Sequence, residues 1–307
     1  MPKPFNLPED GGVYAASIFE RCESLIQYGI WDIHVSGFKR WLRNFHTPEE
    51  QYFSACILDS FIFRSAAQTE ALLKQLLQRV LPDLFRMDPP ITPVPIDWRD
   101  RLRRNVVLRD PGIRFVMVVG WDQKGAKSSP AVARMLKRSE AIEDESWVIY
   151  PWQMEEAGQA GPMTFIFIDD FLGTGVQFDG FARTTRLEKL IAEHYVVYAP
   201  LAATARAVQT LGLKYPGLRL APVETLEETH SVFSPVSTCF KDEVNSPEGA
   251  REFYLEMLCE RGCDIIVEDQ CGFGDLSLVY AFQHGVPVST LPIIWWDSPT
   301  WNPLVRR

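Results

Sequence analysis

Residues 164–177 read TFIFIDDFLGTGVQ: an apolar run, two adjacent aspartates, and a threonine held between glycines. A run this apolar and this short is a strand buried on both faces, as strands inside parallel sheets are. In open parallel sheets ligands gather beyond the carboxyl ends of the strands, and the run places Asp169 and Asp170 at that end. Two neighbouring carboxylates repel, so keeping them together requires a cation or hydroxyl donors. A sugar diol supplies donors, and Mg2+ supplies charge. The residues that follow, Gly173, Thr174, Gly175, Val176 and Gln177, can wrap their backbone N–H groups around an anion. Glycine lets the backbone come close, and a helix starting just beyond favours negative charge. A diol beside a phosphate describes a ribose 5-phosphate. The same letters also suit a plain turn whose carboxylates cap N–H groups. The string lacks the lysine of GxxxxGK[ST], and GxGxxG places its glycines before any acid.

Outward from this stretch, short apolar runs alternate with helical ones: FVMVVG, PAVARMLKRSEAI, a helix from about Gly180 to His194, YVVYAP, a helix from about Ala202, LRLAPV, EGAREFYLEMLCERG and DIIVE. The alternation predicts an α/β fold, a mostly parallel sheet flanked by helices. Upstream, from Val13 to about Phe85, apolar residues recur at helical spacing, with Thr47 as an N-cap, Pro48 in the first turn and Glu50 at the capping-box position. Pro89, Pro90, Pro93 and Pro95 cannot continue a helix. They divide an N-terminal all-helical region, 1–95, from an α/β domain, 96–307. The ending, GFGDLSLVYAFQHGVPVSTLPIIWW, reads as a turn, a short helix ending near Gly285, and an extended segment whose two tryptophans belong to a core or an interface.

With 307 residues, 46% of them apolar, the chain can fill a sizeable core. A net charge of -9 excludes a surface that is everywhere a footprint for nucleic acid or anionic lipid. No uncharged run approaches the ~20 apolar residues of a membrane span, and the start lacks a leader pattern, so a cytoplasmic protein is expected. Six cysteines fit reduced thiols; Cys259, Cys263 and Cys271 lack the paired spacing of a zinc site and read as core residues. Arginines at 99, 101, 103, 104, 109 and 114 form either a solvated face or a dock for a phosphate-rich or acidic partner.

FIFIDDFLGTGVQ resembles the phosphoribosyl-diphosphate (PRPP) signature of type I phosphoribosyltransferases. The resemblance implies that Asp169 and Asp170 hold the ribose hydroxyls at the catalytic centre and that Gly173 to Gln177 cradle the 5-phosphate. Gln177 stands where the family usually has threonine, which removes a hydroxyl contact to phosphate but not the backbone cradle. The family's pyrophosphate loop would fall on Lys127, Ser128 and Ser129, near Lys124 and Gly125; Ser129 ahead of Pro130 suits an ordinary N-cap equally. PRPP or a nucleotide is the implied substrate, with Mg2+ as cofactor. For the hood that reads the base, Trp152, Phe273 and Asp275 are candidates, against readings in which Trp152 is packing and Asp275 caps a helix beginning LSLVY. The match to the catalytic core covers roughly Phe115 to Val267. The helical front and the ending are similar to phosphoribosyltransferase-like proteins of bacterial conflict and defence systems, sometimes encoded beside a retron reverse transcriptase. That similarity implies an effector with a protein or nucleoprotein partner, met through the helical region or the 99–114 segment. A non-catalytic module that senses PRPP or a nucleotide, or a structural component, is the other reading.

Overall fold

The computed structural model describes residues 5–103, 112–119, 128–138 and 145–307. The chain divides into two compact units, one formed by Met1–Ala66 with Glu227–Arg307 and the other by Ala67–Leu226.

The first unit opens with helices α1 (Gly11–Gln27), α2 (Val35–Leu42) and α3 (Pro48–Ser60) and the three-residue strand β1 (Ile62–Arg64). In α1 the buried residues Ala15, Ile18, Cys22 and Ile26 fall at three and four spacing, one stripe facing the core. At the start of α3, Thr47 Oγ1 accepts the Glu50 N–H at 3.1 Å and Pro48 takes the first turn, as the pattern predicts. The Glu50 carboxylate reaches past Thr47 and accepts from the His46 N–H instead.

The second unit contains α4 (Ala66–Gln75), α5 (Leu81–Met87) and α6 (Trp98–Arg103), then β2 (Ile113–Met117), α7 (Ser128–Arg138), β3 (Val148–Ile149), α8 (Met154–Ala157), β4 (Thr164–Leu172), α9 (Val176–Thr184), α10 (Leu187–Glu193), β5 (Tyr195–Thr204), α11 (Ala205–Lys214), β6 (Arg219–Leu220) and β7 (Glu224–Leu226). Its sheet runs β3-β2-β4-β5-β6, with β7 also on β5, and among the described residues every pairing of these strands is parallel. β4 and β5 are its centre, and they are the most apolar strands because helices cover both faces. The architecture is α/β, a parallel sheet flanked by helices. The helix expected from Gly180 to His194 is two, because Arg186 takes a left-handed φ of 52° between α9 and α10.

The proline connector is fastened to this second unit. Asp88 gives its carbonyl to the Tyr195 hydroxyl at 2.6 Å and its carboxylate to Arg219 at 2.7 Å, and the Arg219 guanidinium lies 4.1 Å from the Tyr195 ring centroid. Residue 95, the boundary suggested by the prolines, therefore falls inside Ala67–Leu226.

The chain then completes the first unit with α12 (Pro247–Glu260), β8 (Tyr280–Phe282) and α13 (Pro292–Trp295). β1 pairs in parallel with β8, Ile62 opposite Tyr280. The indoles of Trp41 and Trp301 both donate to the Ile293 carbonyl, and Phe5, Phe53, Tyr254 and Trp296 share their core.

Two expectations fail here. DIIVE is not a strand: Ile266 and Val267 are exposed, the Gln270 side chain takes the Ile265 carbonyl at 3.1 Å, and the segment turns through a 3-10 stretch, Val267–Asp269. A buried parallel strand needs cover on both faces, which this segment lacks. LSLVYAF is not a helix, because the backbone is left-handed at Asp275 (φ 56°) and at Ser277 (φ 49°), and the chain leaves that kink extended into β8. Among the described residues no helix is long and apolar enough to cross a membrane.

Candidate functional site

β4 does not stop at its acids. It continues through Phe171 and Leu172, paired with Ala202 and Ala203, so Asp169 and Asp170 sit within the last turn of the ladder rather than past it. Both are buried, 3% and 7% exposed. Asp169 shares its side with Phe165 and Phe167, which pack in one cluster with Phe178, Phe181 and Tyr198.

Asp169 is held from two directions. Its Oδ1 accepts the Asp170 N–H at 3.0 Å, and its Oδ2 accepts the Tyr198 hydroxyl at 3.2 Å. The Tyr198 ring lies 3.9 Å from that of Phe178 at an interplanar angle of 11°. Burial, then the nearby Asp169 charge, push the Tyr198 phenol well above its ordinary value, so it stays a donor.

The turn leaves the strand under a second tether. Thr204 Oγ1 donates to the Gly173 carbonyl at 2.6 Å and accepts the Ala207 N–H at 3.2 Å, so one hydroxyl fixes the turn and caps α11. Gly175 is left-handed (φ 85°) and its carbonyl accepts the Asp179 N–H at 2.8 Å, which starts α9. Thr174 Oγ1 accepts the Val176 N–H at 3.4 Å. Among the described residues no protein acceptor takes the N–H groups of Thr174, Gly175 or Gln177. An anion seated there meets unsatisfied donors and the positive end of α9. The nearest acid on that helix, Asp179, is already paired with Lys214 and Arg183, each at 2.5 Å. Hydrogen bonds from Lys214 and Tyr215 hold its carboxyl below the usual range.

A family model described as PRTase-CE matches residues 38–307. The chain belongs to this phosphoribosyltransferase-like family. No curated protein matches it. The PRTase-CE match runs through both compact units, so the family pattern includes the aromatic ending as well as the sheet.

Within this PRTase-CE chain the remaining candidates are scattered. Lys127, Lys124 and Gly125 lie outside the described residues, while Ser128 and Ser129 are the first two positions of α7. Trp152 is 47% exposed and stacks on Tyr150 at 4.5 Å, so it is not core packing. Asp275 caps no helix: it sits in a kinked turn, paired with Arg251 at 3.0 Å, next to the exposed Phe273. A cleft of about 680 Å³ opens in the first unit, lined by Asp264, Ile265, Trp295, Trp296, Asp297, Arg306 and Arg307. Neither Phe273 nor Asp275 lines it. Of the arginines, Arg101 pairs with Asp97 at 2.9 Å and Arg114 lies 4.7 Å from the Trp147 ring centroid, which engages two of the six internally. Cys259 is exposed, against the expectation of a core thiol, and among the described residues no three metal-ligating side chains cluster.

The residues of this candidate site that the sequence reading leaves out are Tyr198 and Thr204. Their signal was present in YVVYAPLAAT, the strand Tyr195–Thr204. A tyrosine in the middle of a fully buried strand must find an acceptor for its hydroxyl.

Proposed function

We propose that the chain takes PRPP or a nucleotide and works at the anomeric carbon of its ribose, by transfer or by cleavage. The observation that carries this reading is the juxtaposition of the Thr174, Gly175 and Gln177 amides, which no protein acceptor takes among the described residues, with the acid pair of the same strand. The amides suit a 5-phosphate, and a carboxylate suits the adjacent diol. In such a reaction the bond from C1 to the pyrophosphate oxygen or to the base nitrogen breaks, its electron pair departs on that leaving group, and the incoming nucleophile bonds to C1. The chain's part is to position the sugar phosphate and to stabilise charge, with no protein nucleophile required.

Magnesium would suit the hard oxygen donors of the site, and Asp170 and Asp169 are the residues that would hold it beside the substrate. When bound it offsets charge building on the leaving group. As in the defence-associated proteins that the helical front resembles, the chain would act as an effector with a protein or nucleoprotein partner.

The test is calorimetry of the full chain with PRPP and MgCl2, run beside an assay for pyrophosphate or base release. Heat with release supports an enzyme, heat without release a sensor. No heat with either PRPP or nucleotides overturns the reading.

A further inference from the structure

We infer that the cleft in the first unit is a binding site for a mononucleotide, its phosphate met by Arg306 and Arg307 and its base by Trp295 and Asp297. The lining residues all belong to Glu227–Arg307, whereas the acid pair and the glycine turn belong to the other unit, so the inference does not rest on the phosphoribosyl reading. The volume of about 680 Å³ is that of a small-molecule site. Its aromatic lining is fixed from within. The Trp295 indole N–H donates to the Thr290 carbonyl at 2.9 Å, and the Trp296 indole N–H donates to Asp264 Oδ1 at 3.1 Å. The Trp296 ring stacks on that of Trp301, with centroids 5.8 Å apart.

The charged lining is not fixed in this way. Asp297, Arg306 and Arg307 are exposed, and among the described residues none of these side chains has a hydrogen bond or an ion pair. The Arg307 guanidinium lies 4.6 Å from the Trp295 ring centroid. Burial pulls it below its ordinary value, against the Asp269 charge, as befits a cation held in a cleft without a counter-ion. Two guanidinium forks without acceptors suit a phosphate, which such forks bind with two bonds each. A cation resting on an indole offers a wall on which a flat ring can stack. The Asp297 carboxylate, an acceptor without a donor, suits the N–H groups of a base edge. Free phosphate would leave the indole and the carboxylate unused, and a cationic peptide would leave both guanidinium groups unmatched. A mononucleotide carries the anion, the flat ring and the donors together.

The experiment labels the full chain with fluorotryptophan and follows its fluorine NMR spectrum. Of the nine tryptophan signals, the one missing from Trp295→Phe is that of Trp295. GMP, AMP, CMP and UMP are titrated in turn into the unsubstituted chain, a measurement that needs no variant to fold. At least one should move the Trp295 signal to saturation, and its nucleoside or inorganic phosphate alone should bind at least about tenfold more weakly. Arg307→Ala should weaken that nucleotide about tenfold or more, and Arg306→Ala and Asp297→Ala about five- to tenfold, the size of a lost hydrogen bond to a charged group. All three should keep the parent Tm, since the heads they remove are exposed. The inference is overturned if none of the four nucleotides moves the Trp295 signal, if inorganic phosphate moves it at the same concentrations, or if any of the three variants binds unchanged. Heat in calorimetry with a still Trp295 signal assigns the nucleotide to another site and overturns it as well.

Discussion

Thr204 Oγ1 donates to the Gly173 carbonyl at 2.6 Å across 31 residues, joining the end of β5 to the turn that leaves β4. The bond turns the Gly173 carbonyl toward the protein, and among the described residues no protein acceptor takes the Thr174, Gly175 or Gln177 amides that follow. Thr204→Val preserves shape and removes the hydroxyl, losing both this tether and the N-cap of α11. The expected loss is about 1–2 kcal/mol in urea unfolding, with weaker ribose 5-phosphate binding. Thr204→Ser should restore both. A valine variant as stable as the parent would show the tether to be idle.

Gly175 and Gly180 lie five residues apart and should respond in opposite directions to alanine. Gly175 is left-handed, and an added Cβ would meet Leu211 at 3.4 Å. Gly175→Ala should destabilise by about 1 kcal/mol and disturb the anion cradle. Gly180 is inside α9 with nothing within 4 Å of an added Cβ, so Gly180→Ala should stabilise by about 0.5–1 kcal/mol and leave phosphate binding alone. Thermal melts of the two variants, with and without ribose 5-phosphate, check both halves.

How far these features were legible in the sequence depends on the range of the forces involved. β4 and β5 could be read because a strand covered on both faces must be apolar throughout, a property written in consecutive letters. The Thr47 cap could be read because its partner is three residues away. Tyr198 and Asp169 are 29 residues apart, and their bond depends on the strand register, which no local pattern encodes. The same limit explains the ending: LSLVYAF has helical spacing, but its pairing partner is Ile62–Arg64, more than 200 residues earlier. The proline run marks a real end to helix, yet what it joins was decided by distant contacts of Asp88 with Tyr195 and Arg219.

Glu50 and Arg261 show the same distance effect in the first unit. They meet at 2.8 and 2.9 Å with side chains only 6% and 12% exposed, linking α3 to the end of α12. Removing Glu50 leaves the Arg261 charge with only the exposed Glu260 at 3.5 Å and the Asn44 carbonyl at 3.4 Å, and its Nε already lacks a partner. Glu50→Ala should therefore cost about 3–5 kcal/mol, and adding Arg261→Met should recover much of it. Urea midpoints followed by tryptophan fluorescence report this unit well, since Trp31, Trp41, Trp296 and Trp301 lie in its core. If the double variant is no better than Glu50→Ala, the loss comes from packing rather than from the stranded charge.

His194 makes the second unit sensitive to mild acid. Its Nδ1 accepts the Met163 N–H at 3.2 Å and its ring meets Phe165 edge-on, while a Cβ on Gly158 would come within 2.8 Å of its Cε1. An imidazole that accepts through Nδ1 in so close a packing is neutral, and burial lowers its pKa from the ordinary 6.5. The sign follows from linkage: the unfolded chain binds the proton more readily than the folded one. The contribution is fully present above pH 6.5 and is lost as pH falls from there toward the folded value, at no more than about 1.4 kcal/mol per pH unit. Urea midpoints measured at pH 7.5 and 5.5 should fall for the parent chain and fall less for His194→Gln, which cannot titrate. The comparison isolates this ring from His34, His46, His230 and His284, which both proteins keep. An equal fall in both would assign the acid sensitivity to another group.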